Sequence, residues 1–485
     1  MSTISVRVHE SQFVVAGSTT FRGGFPIPHP DEPDGIFGEW HWNGHRLEAR
    51  VDRLGMFPLY YSEIPNGIAI STRLDALIEA GASSEIDWAA LQILFRMGFH
   101  VGRDTVFRAI KAFPVGGCLS WSPGKLEIKE RLPIVRPNTL SRSAAKDAYI
   151  ELFRAAIRKR IVEGAPIHLP LSGGRDSRHI LYELVAAGAT PECYTSPYAT
   201  MQNDVVIARE VCAAVGVRHA EVAQPTALVT MELEKNIHTS FQATDHGWLW
   251  PLVQSIANSK AVAYDGIAGD VLSAGHFHDD ENSALYRAGC LEDLAQRLAP
   301  KEGLALVPSR WRDAISASDP HPSLIRELLR YQNTPNPMMF FHLYNRSRRA
   351  VSVIIQGMLG RVMRAVFAPF LDRDVFDLLA GLPESMFADK MFHTEAIAQA
   401  FPGTAGIGYA KKTPIPGSLC RLYSRQGLRF VVGAASSPLL DRKAAMLRFT
   451  RSLIDPRHAK EAIWILQQSV MLHQLGRLMG TPFTD

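Results

Sequence analysis

The chain has 485 residues, which is longer than one ordinary domain and predicts two or three domains, each with its own core. Hydrophobic residues make up 46% and charged residues 21%, as in ordinary globular proteins, and the formal net charge is only +4. A nucleic-acid binder concentrates its positive charge in one patch, and the dense basic cluster here is Arg346, Arg348 and Arg349. We interpret that cluster as a solvated or phosphate-facing helix segment, so no nucleic-acid partner is expected.

The cysteines and the apolar segments predict a cytoplasmic protein. Five cysteines are scattered without a Cys-x-x-Cys pair, at positions 118, 193, 212, 290 and 420, which indicates reduced thiols rather than disulfides or a zinc site. The first residues show no charged segment followed by an apolar run, so no signal peptide is predicted. No window approaches about 18 uninterrupted apolar residues, so no membrane-spanning segment is expected either.

Residues 1–138 are predicted to form the first domain, which is rich in β-strands. Short segments with alternating apolar residues recur at 5–9, 47–52 and 67–71, separated by Gly, Pro and Asn. A helix around residues 87–97 interrupts them. The two prolines in the stretch 132–141 disfavour both a helix and a central strand, which predicts a linker and a domain boundary near residue 138.

The second predicted domain, residues 139–485, begins with alternating helices and strands. The expected order is a helix at 143–162, a strand at 167–171, a helix at 176–187, a strand at 192–196, a helix at 204–215 and a strand at 219–223. Strands that alternate with helices over short links predict a parallel, doubly wound α/β sheet. Beyond residue 285 the pattern is almost wholly helical, which predicts a helical C-terminal extension.

The strongest chemical signal lies between the first strand and the first helix of this α/β region, where residues 172–177 read Ser-Gly-Gly-Arg-Asp-Ser. Glycine lets the backbone wrap closely around an anion, and the following helix supplies free N–H groups and a positive dipole end. Asp176 would repel a bare phosphate, so it makes sense as a ligand of Mg²⁺ that bridges the phosphates. The segment predicts a pyrophosphate cradle formed by Ser172, Gly173, Gly174, Asp176 and Ser177.

This loop resembles the PP-loop of ATP pyrophosphatases, and three further segments narrow the resemblance to the asparagine synthetase family. Residues 265–270, Asp-Gly-Ile-Ala-Gly-Asp, resemble the family's second motif, Gly-Glu-Gly-x-Asp-Glu, which implies that Gly266 and Asp270 belong to the ATP and Mg²⁺ site. Residues 368–383 resemble the family's Pro-Phe-Leu-Asp segment. Residues 51–61 resemble an element of its class II glutamine amidotransferase domain, which implies an Ntn-hydrolase-like α+β sandwich in the first domain.

Departures from the family's pattern in the first domain imply that glutamine is not hydrolysed. The amidotransferase nucleophile is a cysteine directly after the initiator Met, but this chain has Ser2, and the nearest cysteine is Cys118. The family's Arg-Gly-Pro and Asn-Gly-Glu-Ile-Tyr-Asn segments, which hold glutamine, are also missing. The domain is therefore expected to serve packing and the shaping of the active site, and a residual hydrolase role of Ser2 stays open.

Another departure concerns the acceptor of the second half-reaction. The family's catalytic glutamate in the second motif corresponds to Ile267, and the acid after the aspartate corresponds to Val271. An apolar side chain cannot hydrogen-bond an incoming amine or relay its proton, which disfavours free ammonia as the acceptor. The pattern is closer to relatives that dispense with glutaminase activity, such as β-lactam synthetases and lasso-peptide cyclases.

Further catalytic residues are expected near the loop. Arg175 either pairs with a phosphate or an acidic substrate, or lies on the surface with its aliphatic stem packed on the helix. In the family, a catalytic lysine stabilises the negative charge that develops on the reacting phosphorus. The resemblance implies Lys412 for this role, with Lys411 as the alternative.

Three weaker candidates have ordinary structural explanations. Asp204 matches an acidic position that opens a family helix, and an N-cap role is sufficient to explain it. The His-x-His-Asp-Asp string that begins at His276 is typical of a solvated loop, so no metal site is expected there. Residues 245–248 precede the second motif and either line the acceptor pocket or belong to a helix.

The resemblance implies an ATP-dependent, AMP- and pyrophosphate-forming amide ligase with ATP and Mg²⁺ as cofactors. Such an enzyme adenylates a carboxylate and passes it to an amine, as in macrolactam or β-lactam formation. Two alternatives stay open: an asparagine synthetase that uses ammonia or glutamine, and a non-catalytic nucleotide-binding scaffold. The expected partners are carboxylate and amine substrates, either small molecules or peptides, with a precursor peptide or a leader-handling protein in the peptide case.

Overall fold

The N-terminal part of the chain forms two antiparallel sheets in a computed structural model that describes residues 2–197, 203–224, 226–300 and 304–479. Its strands are β1 (Thr3–His9), β2 (Gln12–Gly17), β3 (Thr20–Ile27), β4 (Asp34–Trp42), β5 (Leu47–Val51), β6 (Tyr60–Ile64), β7 (Gly67–Ser71), β8 (Lys111–Ala112), β9 (Cys118–Ser122) and β10 (Lys125–Lys129). The first sheet has the order β2-β1-β7-β6-β8 and the second has the order β10-β9-β5-β4-β3. The predicted β-rich organisation is confirmed.

The two sheets share one hydrophobic core because apolar residues alternate along their strands. Ile4 and Val6 of β1 are fully buried, and Trp40 and Leu47 from the second sheet belong to the same apolar cluster. Two helices, α1 (Leu74–Glu79) and α2 (Trp88–Met97), lie between β7 and β8 in the chain. The side chain of Asp87 accepts a hydrogen bond from the Ala90 N–H at 3.0 Å, which explains why α2 begins where it was predicted.

The C-terminal part is built on a parallel sheet, as the alternating pattern predicted. Its strands are β11 (Ile167–Pro170), β12 (Glu192–Thr195), β13 (His219–Glu221), β14 (Asn258–Tyr264) and β15 (Met363–Phe367), in the order β13-β12-β11-β14-β15. The order reverses at β11, as in a doubly wound sheet, so the loops that follow β11 and β14 flank the same crevice. Strand β15 was not predicted, because five residues between two helical segments carry too short a signal.

Helices surround this sheet and form the C-terminal extension. In the described part of the chain they are α3 (Arg142–Arg158), α4 (Asp176–Ala186), α5 (Asp204–Val215), α6 (Leu228–His238), α7 (Trp250–Ser255), α8 (Gly269–Leu272), α9 (Asp280–Ala288), α10 (Leu291–Leu298), α11 (Arg312–Ser316), α12 (His321–Leu329), α13 (Pro337–His342), α14 (Arg348–Val351), α15 (Arg373–Gly381), α16 (Phe392–Ala400), α17 (Gly417–Gly433), α18 (Arg442–Ile454) and α19 (Glu461–Met479). Two π-helical segments, Leu343–Ser347 and Ser352–Met358, flank α14.

The predicted helix boundaries differ from the observed ones mainly at α3. It ends four residues before the predicted position, because a turn around Arg160 and the left-handed Gly164 (φ +71°) leads into β11. Helix α5 ends where predicted, since Gly216 takes φ +69° after its last residue. Among the described residues, no helix is long and apolar enough to cross a membrane.

The interpretation of the basic cluster as a solvated or phosphate-facing segment was wrong for two of its three arginines. Arg348 and Arg349 are only 4% and 2% exposed. Arg348 donates hydrogen bonds to the carbonyl oxygens of Gly55, at 2.6 Å, and Phe113. Arg349 donates to the Gly102 carbonyl at 2.8 Å. Both guanidinium groups therefore bind main-chain oxygens of the N-terminal part and connect it to the helical run that contains the π-helices.

Candidate active site

In the loop after β11, serine hydroxyl groups accept hydrogen bonds from main-chain N–H groups of the same loop. The Ser172 N–H donates a hydrogen bond to Ser177 Oγ at 3.0 Å, and the Gly174 N–H donates to Ser172 Oγ at 3.2 Å. The Gly173 N–H donates to Asp204 Oδ1 at 2.9 Å. Asp204 therefore does not cap its own helix, as was predicted, but anchors the glycine-rich loop from the first turn of α5.

Glycine is required at Gly173 because the neighbouring segment lies against the loop. A Cβ atom at this position would lie 2.6 Å from the Cβ of Ala410 and 3.1 Å from Asp204 Oδ1. The Ala410 N–H also donates a hydrogen bond to the Gly173 carbonyl at 2.9 Å. The segment that precedes the two candidate lysines is thus held directly on the loop.

The two predicted metal ligands, Asp176 and Asp270, lie next to each other. Asp176 begins α4, and Asp270 lies in the first turn of α8, after β14. The two loops touch at glycines: a Cβ at Gly266 would lie 2.7 Å from the Asp176 Cβ, and a Cβ at Gly269 would lie 2.7 Å from the Asp176 carboxyl carbon. Residues that are more than 90 positions apart in the sequence therefore form one site across the crevice between β11 and β14.

This site accumulates negative charge. Burial raises the pKa of Asp176 well above its usual range, and the nearby Asp270 carboxylate raises it further. A third carboxyl group, Asp265, was not predicted as a site residue, and burial raises its pKa to about 6. Asp176 Oδ1 is buried without a hydrogen-bond partner. An unpaired buried carboxylate oxygen beside a second carboxylate is the environment that a divalent cation stabilises.

Arg346 is the third arginine of the basic cluster and faces this site. Its Nη1 donates a hydrogen bond to Asp270 Oδ2 at 3.0 Å, and its guanidinium group lies 4.5 Å from the ring centre of Phe277. It belongs to the π-helical segment Leu343–Ser347, a distortion that is frequent at functional sites. The His276 N–H donates to the Asp270 carbonyl at 3.0 Å, so this exposed histidine lies beside the carboxylates.

A buried histidine pair behind Asp176 was missed by the sequence reasoning. His393 Nδ1 lies 3.3 Å from Asp176 Oδ1 and 3.0 Å from Ser273 Oγ. His393 Nε2 lies 3.1 Å from His179 Nδ1. Burial lowers the pKa of His393 to about 3, so the ring is neutral and does not neutralise Asp176. Neither histidine lies in a recognisable motif. His179 follows Asp176 by three residues on α4, whereas tertiary folding brings His393 to the site.

Arg175 and Arg178 both contact Tyr409. Their guanidinium carbons lie 4.8 Å and 4.1 Å from its ring centre. Arg175 Nε also donates a hydrogen bond to Thr394 Oγ1 at 2.5 Å. Arg178 is buried and donates to the carbonyl oxygens of Gly408, at 2.6 Å, and Gly173, at 3.3 Å. Arg178 therefore ties the lysine-bearing segment to the loop, and Arg175 lies at the edge of the site instead of on an open surface.

The two candidate lysines follow this anchored segment and are exposed. Their environments differ. The positive charge of Lys412 lowers the pKa of His276, which lies beside Asp270, after the larger effect of burial. Lys390, which was not predicted as a site residue, acts on His276 in the same direction. It has φ +59°, an unusual value for a lysine, between the Leu-Pro segment and α16. The charges of Lys412 and Lys390 thus both act on a histidine that lies beside Asp270.

Other predicted positions have structural roles or lie elsewhere. Asp372 of the Pro-Phe-Leu-Asp segment is buried and accepts a hydrogen bond from Arg160 at 2.5 Å. The carbonyl oxygen of Ser2 accepts a hydrogen bond from Ser71 Oγ at 3.2 Å at the start of β1, while Cys118 begins β9 in the other sheet. Ile267 packs against the apolar core. His278 Nδ1 lies 3.1 Å from Glu384.

A glycine-rich loop and paired carboxylates at the reversal point of a parallel sheet define a nucleotide-dependent enzyme. Comparison with protein families agrees. The asparagine synthase model matches residues 148–473, and the glutamine amidotransferase domain model matches residues 32–131. The chain belongs to the asparagine synthetase family and is a ligase of the ATP-dependent, amide-forming type. No curated protein matches it.

Proposed function

We propose that the protein adenylates a carboxylate with ATP, releases pyrophosphate, and passes the acyl group to an amine without hydrolysing glutamine. The observation that carries this proposal is the contact between the Asp176 and Asp270 loops beside the glycine-rich segment. Family membership supports ATP as the co-substrate, usually with Mg²⁺. The fit of the site to a magnesium–nucleotide complex supports adenylation with release of pyrophosphate.

The carboxylate pair fits Mg²⁺. Asp176 Oδ1 lacks a hydrogen bond, and the Gly266 and Gly269 positions leave no room for a side chain beside it. Within the described ranges, no group of three or more His, Cys, Asp or Glu residues forms a complete metal site. Asp176 and Asp270 would therefore hold the ion together with phosphate oxygens and water, and the bound ion would neutralise the charge on pyrophosphate as it departs.

The chain's own groups would support two half-reactions. In the first, the α4 N-terminus and the hydroxyl groups of Ser172 and Ser177 bind the phosphates while a substrate carboxylate attacks the α-phosphorus and pyrophosphate leaves. Lys412 would stabilise the charge on the reacting phosphoryl group, and Arg175 the outer phosphate oxygens. In the second, an amine attacks the acyl-adenylate, its proton passes to solvent or substrate, and AMP leaves. Exclusion of water protects the mixed anhydride from hydrolysis.

The acceptor is proposed to be an amine of a larger substrate rather than ammonia. Ile267 contacts the apolar core and offers no hydrogen-bonding group, and Ser2 stands where the glutaminase cysteine is expected. These two features support a cyclisation, such as macrolactam or β-lactam formation. In the macrolactam case, a precursor peptide is the proposed partner.

The test is pyrophosphate release from Mg·ATP in the presence of a small-molecule and peptide extract of cells. We expect wild-type protein to form AMP and pyrophosphate, and Asp176→Asn and Asp270→Asn to lose at least about 100-fold in rate. The control is Asp293→Asn, which removes an exposed carboxylate from α10. Formation of ADP, or release that survives both aspartate substitutions, would contradict the proposal.

The glutamine-independent part is tested separately. Addition of glutamine should yield no glutamate above the uncatalysed background, and Ser2→Ala should leave pyrophosphate release unchanged. Glutamate formation that disappears in Ser2→Ala would show a working glutaminase and would overturn this part of the proposal alone.

A further inference from the structure

The positive charge of the chain is concentrated in its last three long helices. Residues 417–479, which contain α17, α18 and α19, include ten Lys and Arg residues but three Asp and Glu residues, a net charge of +7. The formal net charge of the whole chain is only +4, so the rest of the chain is acidic overall. A surface with such a local excess attracts anionic partners over distances of about 10 Å.

The arginines of α17 form one exposed stripe. Arg421, Arg425 and Arg429 are spaced by four residues, so they lie on the same face of the helix, and all three are exposed. Residues 417–433 include no Asp or Glu, and within the described ranges none of the three arginines forms an ion pair. This stripe is therefore available to an anionic partner.

The solvent face of α18 carries large apolar side chains. The inner face of this helix packs on α17, where a Cβ atom at Gly427 would lie 2.2 Å from Phe449 Cζ. On the outer face, Met446, Leu447 and Ile454 are exposed, with Leu447 71% and Ile454 77% accessible to solvent. A helix at the surface of a globular protein normally presents polar residues to water. The second apolar face of α18 therefore indicates contact with an apolar phase or partner.

Basic and apolar side chains are mixed on this face. Lys443 and Arg451 lie one turn before and one turn after Leu447, so they share its side of α18, and both are exposed. In the part of the chain that the structure describes, four of the eleven exposed large apolar residues fall between positions 432 and 454. Helices α17 and α18 are in contact through a hydrogen bond of 2.8 Å between two buried serine hydroxyl groups. We call the exposed residues of these two helices the α17–α18 surface.

The chemistry of the α17–α18 surface favours one class of occupant. Two copies of the chain would repel each other there, because both surfaces are positive. A small ligand has no enclosed site, since neither helix lines the cavities of about 500 to 620 Å³ that the described residues form elsewhere. A nucleic acid matches the charge but leaves the apolar side chains in water. An anionic lipid surface matches both, because its headgroups attract arginine and lysine and its acyl boundary takes up apolar side chains.

We propose that the α17–α18 surface holds the protein at the surface of an anionic lipid membrane. Its arginines and lysines contact the headgroup phosphates, while Leu447 and Ile454 enter the boundary between headgroups and acyl chains. This attachment is peripheral and requires no membrane-spanning helix. It goes beyond the proposed ligase function and involves none of the residues of the carboxylate cluster or the glycine-rich loop.

The test is flotation of the full-length protein with vesicles of about 30% phosphatidylglycerol in phosphatidylcholine, and with vesicles of phosphatidylcholine alone. We expect the protein to float with the anionic vesicles only, and a rise from about 50 to about 300 mM NaCl to weaken binding at least about fivefold. Arg425→Gln/Arg429→Gln should lower the partition coefficient about 20-fold, and Leu447→Gln/Ile454→Gln about tenfold. The assay contains no ATP, so its outcome is independent of the ligase reaction.

The matched control is Arg312→Gln/Leu329→Gln, which removes an exposed arginine and an exposed leucine from α11 and α12 and should float like the wild-type protein. Circular dichroism confirms that each variant is folded. The proposal is overturned if both kinds of vesicle bind equally, if nothing floats at about 50 mM NaCl, or if the control and the two double variants bind alike. A DNA duplex or a glutamate-rich peptide that binds more tightly than the vesicles, measured by fluorescence anisotropy, would overturn it in favour of a nucleic-acid or protein partner.

Discussion

Asp176 and Asp270 can approach each other because glycine stands beside each of them. The Gly266 and Gly269 positions both lie within 2.7 Å of Asp176 atoms once a Cβ is added. A single methyl group at either position would push the two loops apart. A side chain is also excluded at Gly173, because Ala410 lies against the glycine-rich loop there. The site therefore depends on these glycines as much as on its charged residues.

The two adjacent lysines should differ strongly in their effect on the reaction. Lys412 is the lysine that we propose for the reacting phosphoryl group, and its charge acts on His276 beside Asp270. We expect Lys412→Met to lower the rate of pyrophosphate release about 100-fold and Lys411→Met to change it less than about threefold. Initial rates at saturating Mg·ATP distinguish them. A larger loss in Lys411→Met would exchange the two assignments.

His100 should make the protein less stable in mild acid. Burial lowers its pKa to about 3, and the charge of Arg349 lowers it further, although Asp104 opposes this. The unfolded chain takes up a proton below about pH 6.5 and the folded chain does not, so stability falls as pH decreases. Between pH 7.5 and 5.0 this residue should lower the free energy of unfolding by about 2 kcal/mol.

Urea denaturation of His100→Gln at these two pH values measures the effect. The variant should lose about 2 kcal/mol of the pH dependence. The exposed His9 provides the control His9→Gln, which should leave the dependence as it is in the wild-type protein. An unchanged pH dependence in His100→Gln would show that another group takes up the proton.

Among the elements, the run from α13 through the second π-helix connects most parts of the molecule. Arg346 reaches the Asp270 carboxylate, and Arg348 and Arg349 reach main-chain oxygens of the N-terminal part. Consecutive turns of one helical run thus contact the catalytic crevice and the other domain. Its π-helical stretches shift the side-chain direction and let arginines at nearly adjacent positions face different surroundings.

Removal of one of these arginines should destabilise the whole chain. Arg349→Met leaves the carbonyl oxygens of Gly102 and Asp104 and the side chain of Gln242 without their donor. We expect a loss of about 3 kcal/mol in the free energy of unfolding, measured by urea denaturation. The exposed Arg364→Met should change it by less than about 0.5 kcal/mol. Equal stabilities would show that these contacts contribute nothing.

The elements themselves could largely be predicted from the sequence, while their contacts could not. Alternation, glycine and cap residues located β1, α2, α4 and α5 within a few residues. Strand β15 was missed, since five residues carry little periodicity. The burial of Arg348 and Arg349 was missed for another reason: their main-chain partners are more than 200 residues away, and no sequence pattern records such a pairing.

The candidate site could likewise be predicted only in part: its motif residues could be, but their contacts with the rest of the chain could not. The Ser172 loop and Asp270 belong to local motifs, so their proximity could be predicted from the order of a parallel sheet. Asp265 lies in the 265–270 segment and Arg346 in the basic cluster, but neither was predicted to join the site, and His393 lies in no recognised motif. The folded chain brings all three to the carboxylate cluster. The sequence therefore reveals the groups that would contact ATP, but not most of the groups that position them.

At the scale of the whole molecule, one apolar cluster extends across both parts of the chain. It includes Ile4 and Trp40 of the antiparallel sheets as well as Leu169 and Tyr264 of the parallel sheet. Two units that share a continuous core and buried hydrogen bonds unfold together. The predicted boundary near residue 138 therefore separates two folding patterns in the sequence.

We expect a single unfolding transition for the full chain. Calorimetry and tryptophan fluorescence should report the same midpoint, because neither part keeps its core without the other. A fragment of residues 139–485 should be poorly folded, judged by near-ultraviolet circular dichroism and proteolysis. Two separate transitions, or a protease-resistant fragment of this length, would contradict the expectation.

The arginine contacts bear on how this architecture could have evolved. The oxygens that Arg348 and Arg349 bind at Gly55, Gly102 and Phe113 belong to the main chain, so mutations of most side chains in that domain leave them in place. Side-chain changes in the amidotransferase-type domain therefore leave the support of the ligase half in place. Deletion of the domain would expose two desolvated cations at once. The N-terminal domain can therefore support the ligase half whether or not its own side chains catalyse a reaction.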